Sequence, residues 1–228
     1  MQRALAEQDI VLCEYKVRRM MRENGLYPVS LTKYKPARKG TPTGQFFADS
    51  VQQAFNPQAL NEVWAGDITY IRTSLGWVYL AVVIELFNRE IIGYAVSKTI
   101  DTELVKRALG NALINTGGGG KETIFHSDRG IQYSSKSFQT MLAQNGLVGS
   151  MGRPGCPYDN APVEGFFSIA KRECIYRKKY DNMDEVERGL FEYIELFYNR
   201  RRMRKGLGYL SPVDYRLAMA SSEAVGNR

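Results

Sequence analysis

The stretch "EVWAGDITYIRTSLGWVYLAVVIELFNREIIGYAV", Glu62 to Val96, decides the fold. Its first part, "EVWAGDITYIRT", is rich in β-branched and aromatic residues and reads as a strand. "WVYLAVVIELF" is almost continuously apolar, the pattern of a strand buried on both faces. "EIIGYAV" makes a third strand. "SLG" and "FNR" between them are short enough for antiparallel turns. Asp67 breaks the pattern, because it stands mid-strand among Ile, Tyr and Trp, where propensity disfavours it. A carboxylate there either faces solvent on an edge or serves chemistry.

Downstream the period changes. "DTELVKRALGNALIN" carries Leu104, Val105, Ala108, Leu109, Ala112 and Leu113 at helical spacing, with Asp101 placed to cap it. A glycine loop, Gly117 to Gly120, leads to a strand, "ETIFHS". The next helix, "SSKSFQTMLAQNG", has Phe138, Met141 and Leu142 on one face and Gly146 at its end. "LVGSM" is a short strand. A helix follows from about Ala161 past Glu173, and a last amphipathic helix covers roughly Asp184 to Asn199. Each strand that follows a helix can pair in parallel through a right-handed crossover. The order is three antiparallel strands, helix, strand, helix, strand, helix, helix. It matches the ribonuclease H-like fold, a mixed five-stranded sheet flanked by helices.

Upstream, the pattern is helical from Leu5 to Asn24, with Gly25 as its stop. "LYPVSLTKYKPARKGTPTGQ" then reads as a basic, extended linker. Pro28, Pro36 and Pro42 forbid helix interiors there, and the cations suit phosphates. The expected organisation is a helical segment over 1–25, a linker over 26–60, a core over 61–216 and a tail over 217–228.

Composition narrows the class. The 228 residues are 44% hydrophobic and 24% charged, a soluble globular balance. No apolar run reaches ~18 residues, and the N-terminus has no secretory h-region, so membrane and export are not expected. A net charge of +7 and a pI near 9.3 favour polyanionic partners. Cys13, Cys156 and Cys174 form no CxxC pair, and His126 is the only histidine. A disulfide framework, a cysteine zinc site and a histidine cluster are all disfavoured. Any metal would sit on carboxylates, which favours Mg²⁺ or Mn²⁺.

The candidate acids follow. Asp128 ends a strand in "HSDRG", either as a turn-former or as a functional acid. If the first and fourth strands are neighbours, Asp67 and Asp128 approach one another. A third acid would come from "RPGCPYDNAPVEGFFSIAKRE", Arg153 to Glu173. There Asp159 and Asn160 precede the helix, and Pro162 suits its first turn. With Asn160 as N-cap, Glu164 is one residue too late for a capping box. Asp159 is therefore read as the turn or cap acid and Glu164 as the functional one. Lys171 lies seven residues on, within ~20° of two full turns, so Glu164, Ser168 and Lys171 share a face.

Together these features are specific. An Asp in a first strand and a second Asp are followed, after 35 intervening residues, by Glu164 and then Lys171. That set resembles the DDE integrase core. "VWAGDITYI", "HSDRGIQY", "SMGRPGCPYDNAPVEGFF", "YNRRR" and "LGYLSPVDYR" narrow the resemblance to the catalytic OrfB part of transposases of insertion-sequence family three. It runs from about Glu62 to Arg216. "VRRMMRENGL" is similar to the tail of the helix-turn-helix region before that core. That region is short here, which implies a truncated frame or a fragment. Glu85 stands where the family usually has Asp, and Gly165 where Ser is frequent.

The resemblance implies metal-dependent DNA cleavage and strand transfer. Asp67, Asp128 and Glu164 would be the catalytic, metal-binding acids, holding two ions of Mg²⁺ or Mn²⁺ with Asp67 as the bridge. Lys171 would hold a terminal phosphate or base. Arg129 and Arg153 are read as DNA contacts or solvated cations. Arg200, Arg202 and Lys205 in "YNRRRMRKG" are read as phosphate contacts. Tyr133 and Tyr158 are weighed as stacking platforms for single strands or, as is commoner for an aromatic near a turn, as packing residues. Implied partners are transposon-end and target DNA, further copies of the chain on DNA, and the element's upstream-frame protein. The implied location is cytoplasmic, with the bacterial nucleoid. Two other readings stay open, a ribonuclease H-like nuclease and a catalytically idle DNA-binding fragment that competes with the full enzyme.

Overall fold

The computed structural model describes residues 1–26, 46–120, 122–154 and 156–226, with only the backbone for 157, 158 and 222–226. Most of the basic linker lies outside the described residues. The chain forms two compact units, Met1–Pro36 and Ala37–Arg228.

The first unit holds α1 (Gln2–Ala6) and α2 (Glu14–Glu23). The expected single helix over Leu5 to Asn24 is therefore two. Asp9 takes a left-handed φ of 60°, which an α-helix cannot continue through. Gly25, at φ 66°, ends α2 as expected.

The second unit is built on β1 (Val63–Thr73), β2 (Gly76–Glu85) and β3 (Ile91–Ser97). Then come α3 (Thr102–Thr116), β4 (Ile124–Ser127), α4 (Lys136–Gln144) and β5 (Val148–Met151). The chain closes with α5 (Ala161–Glu173), α6 (Met183–Phe191) and α7 (Pro212–Gly226). The strand order is β3-β2-β1-β4-β5. The first three strands pair antiparallel, while β1–β4 and β4–β5 are parallel. This is the expected mixed five-stranded sheet.

Helices cover both faces. On one side Trp64, Ala81, Val83 and Phe125 pack with Leu104 and Ala108 of α3 and Phe138 of α4. On the other, Ala65, Ile71, Val82 and Ile84 pack with Val163 and Phe166 of α5 and Val186 and Leu190 of α6. The apolar run of β2 is thus buried on both faces, as its sequence requires. Gly93 lets α3 close onto the sheet, since any side chain there would collide with Ala108 and Ala112. Asp101 and Ser135 cap α3 and α4 through Leu104 N–H and Phe138 N–H.

Two features depart from expectation. The helix after α5 is α-helical only to Phe191 and continues as a π-helical stretch, Glu192–Tyr198. α7 is the second: it starts in the expected core at Pro212 and runs on through the expected tail. Its start was encoded: Ser211 Oγ accepts from Asp214 N–H at 3.1 Å, and Pro212 opens the helix.

One asymmetry positions the site. β4 meets β1 only from Val63 to Gly66. Beyond Gly66, β1 runs on paired with β2, with one isolated bridge from Thr73 to Tyr180 at its far end. α5 packs beside it, and Ser74 N–H donates to Tyr180 O at 2.9 Å near its far end.

Candidate active site

The register brings two acids together. Gly66 lies opposite Ser127 in the parallel β1–β4 pair; Asp67 follows on β1, and Asp128 is the first residue past β4. Both follow the carboxyl end of the pairing, where open α/β sheets place their sites. Asp67 Oδ1 accepts from Ile68 N–H at 2.7 Å. Asp128 Oδ1 accepts from Gly130 N–H at 2.8 Å, closing a turn. Both carboxylates are half-buried. Asp67 is thus not a solvated edge residue.

Tyr133 lies close to this pair. Its ring packs edge-on against Phe138 at 5.3 Å, and its hydroxyl is buried without a hydrogen-bond partner. Burial holds the phenol well above its usual range, and the charges of Asp67 and Asp128 push it the same way. At 2% exposure Tyr133 cannot stack on a base and takes the packing alternative instead. The side chain of Tyr158 lies outside the described residues.

Lys171 reaches the site from α5. Burial pulls its ammonium below the ordinary value, while the charge of Asp67 holds it up. Its Nζ stands 4.8 Å from the centre of the Tyr70 ring.

Glu164 is placed differently. It is exposed in the first turn of α5. Among the described residues, no three His, Cys, Asp or Glu side chains lie close enough to hold a metal. The structure therefore brings Asp67 and Asp128 together and leaves Glu164 outside. Asn160 precedes α5 without a side-chain cap bond, and both its amide atoms are buried without partners. The donor set nevertheless fits a hard divalent ion, since two carboxylates on adjacent strands offer oxygen ligands. The alternative donor, His126, is occupied. Its Nε2 donates to Asp159 O at 2.7 Å and its Nδ1 accepts from Ser150 Oγ at 2.9 Å.

Asp159 is structural, but it is not a helix cap. Its carboxylate is 2% exposed. It accepts from Arg153 N–H at 2.8 Å, from Arg153 Nε and Nη2 at 3.1 Å, and from Gln53 Nε2 at 2.7 Å. The Arg153 guanidinium, helped by Gln53, holds the carboxyl far below the usual range. The acid thus pins the turn before α5 to the segment at Gln53, a long-range link that no local capping pattern reveals.

The other cations divide. Arg153 is committed to Asp159. Arg202 donates to both Glu173 oxygens at 2.8 and 2.7 Å, a bidentate pair. Arg129 Nε donates to Gly152 O at 2.9 Å, with its guanidinium over Phe46. Arg200 and Lys205 are exposed.

Topology and paired aspartates define a ribonuclease H-like core. Two models of the integrase core domain match the chain, over residues 57–157 and 164–218. It is 40% identical over 207 residues to the transposase of insertion sequence element IS904 of Lactococcus lactis, covering 88% of this chain and 79% of that one. It is 39% identical over 198 residues to transposase InsF of IS3A from Escherichia coli K12, covering 86% and 67%. A 31 kDa protein of IS600 from Shigella sonnei is 35% identical over 216 residues, covering 95% and 79%. Among solved structures, the HTLV-2 integrase catalytic core with magnesium matches at TM-score 0.50 and 17% identity, covering 67% of this chain and 95% of that one. A simian T-cell lymphotropic virus intasome matches at 0.50 and 18%, covering 73% and 57%. The chain belongs to the integrase core domain family, on its branch of insertion-sequence transposases.

Proposed function

We propose that this chain cuts and joins DNA as an insertion-sequence transposase, with Asp67, Asp128 and Glu164 as its metal-binding acids. The observation that carries this reading is the register placing Asp67 beside Asp128 just past the carboxyl end of the β1–β4 pairing. Its relatives are transposases, and one structural neighbour holds magnesium. Bound Mg²⁺ or Mn²⁺, as two ions, would assist the attacking oxygen and stabilise the leaving one.

The chain's own groups set the conditions. Two carboxylates about 4 Å apart repel by about 4 kcal/mol at an effective dielectric of ~20, so the pair favours a cation between them. Glu164 completes the set when the first turn of α5 moves inward. That turn has no side-chain cap bond to break. Lys171, beside Asp67, holds a phosphate or base of the bound strand. Oligomers on DNA, association with the upstream-frame protein and location with the nucleoid belong to the same proposal.

The test offers a 3′-hydroxyl oligonucleotide and a target with Mg²⁺ or Mn²⁺. Products longer than the substrate are expected, and Asp67→Asn, Asp128→Asn and Glu164→Gln should each abolish them with folding intact. Asp159→Asn should mainly lower stability. Shortened products alone would indicate a nuclease instead. Activity that survives in Glu164→Gln would remove Glu164 from the set.

A further inference from the structure

The β1–β2 hairpin carries a row of cations and aromatic rings that the acids do not explain. Tyr70 and Arg72 alternate onto one face of β1, and the register sets Trp77 of β2 opposite Arg72. Tyr70 and Trp77 meet edge-on at 5.3 Å. The Arg72 guanidinium lies 5.1 Å from the Trp77 ring centre, and Lys171 stands over Tyr70. The sequence of contacts is Lys171, Tyr70, Trp77, Arg72. Trp77 is 37% exposed and Arg72 is exposed.

The row begins at Lys171, which feels the charge of Asp67. Tyr70 and Arg72 stand on the face of β1 opposite Asp67, so a strand leaving the acids reaches them across the edge of β1 that β4 leaves uncovered. From Asp67 to Arg72 the strand advances about 17 Å, the span of a few nucleotides. Cations spaced along aromatic rings suit a ligand with alternating phosphates and π-faces. In a duplex the base faces are stacked on each other, so only an unpaired strand presents them.

We propose that the Lys171–Tyr70–Trp77–Arg72 row binds single-stranded DNA running outward from the acids. A base stacks on Trp77 while Arg72 and Lys171 take its phosphates. This rests on the transposase reading and adds which surface holds the strand, and in what form.

The chain's two tryptophans make it testable, because Trp64 is 0% exposed and Trp77 alone can meet a base. The intact protein is titrated with a short oligothymidylate without divalent metal, following tryptophan emission, while anisotropy of labelled single and double strands gives affinity. Emission should fall as the single strand binds. Trp77→Ala should abolish the quench and weaken single-strand binding about tenfold, with duplex binding changed less than twofold. Trp77→Phe should restore most of the affinity. Arg72→Ala, a fully surface change, should weaken binding and lower the salt slope by about one. Single-strand binding that leaves Trp77 emission and the Trp77→Ala affinity unchanged would overturn the row and spare the transposase reading. So would binding of duplex alone. A chain that binds neither form would overturn both.

Discussion

Glu85 shows how one residue carries a chemical consequence out of proportion to its place. It is 1% exposed at the end of β2, with Oε2 accepting from Asn88 N–H at 2.9 Å and Oε1 left without a partner. Burial pushes its carboxyl up to about 7, against the backbone N–H groups that favour its charge. The folded protein therefore keeps this proton up to near pH 7, while the unfolded chain loses it near 4.5. Between those values the folded state binds more protons, so stability falls as pH rises and levels off above about 7. The whole swing is about 3 kcal/mol. Urea midpoints measured from pH 4.5 to 7.5 should show this slope in the wild type, and Glu85→Gln should flatten it. An unchanged slope in the variant would mean Glu85 is already ionised in the fold. The sequence shows an acid at the end of an apolar strand, but only burial turns it into a titration.

At the scale of the element, α5 is the decisive helix, because it carries Glu164 and Lys171 and packs beside β1. Gly165 sits in its second turn, exposed, with no atom within 4 Å of where a Cβ would stand. Glycine inside a helix costs roughly 0.5–1 kcal/mol against alanine. Gly165→Ala should raise the unfolding free energy by about that amount, read from the urea midpoint. No gain would show that this turn is not held helical in solution, which bears directly on how Glu164 reaches the aspartates. The helix itself was legible from its period and Pro162. What it packs on was not, because the exposed side of β1 appears only once β4 stops at Ser127. α7 was missed for the opposite reason. Its Ser-Pro start was visible, but its apolar face is too weak to stand out as a period.

For the whole molecule, the two sheet acids form a charged pair that metal binding relieves. Millimolar Mg²⁺ or Mn²⁺ should raise the melting temperature by about 2–4 °C, and Asp67→Asn should blunt that gain. A melting temperature indifferent to metal would mean the acids do not gather an ion in the free protein.

The sequence by itself determined the strands, most helices and their caps, because propensity and periodicity act within a few residues. It also placed Asp67, Asp128, Glu164 and Lys171 in a spacing that points to one family. Only the tertiary structure decided that Asp67 and Asp128 stand side by side while Glu164 remains outside. It alone paired Arg153 with Asp159 and Arg202 with Glu173, buried Tyr133, and lined Tyr70 and Trp77 between Lys171 and Arg72. Those outcomes depend on register and on which edge a helix covers, and they join residues far apart in the chain.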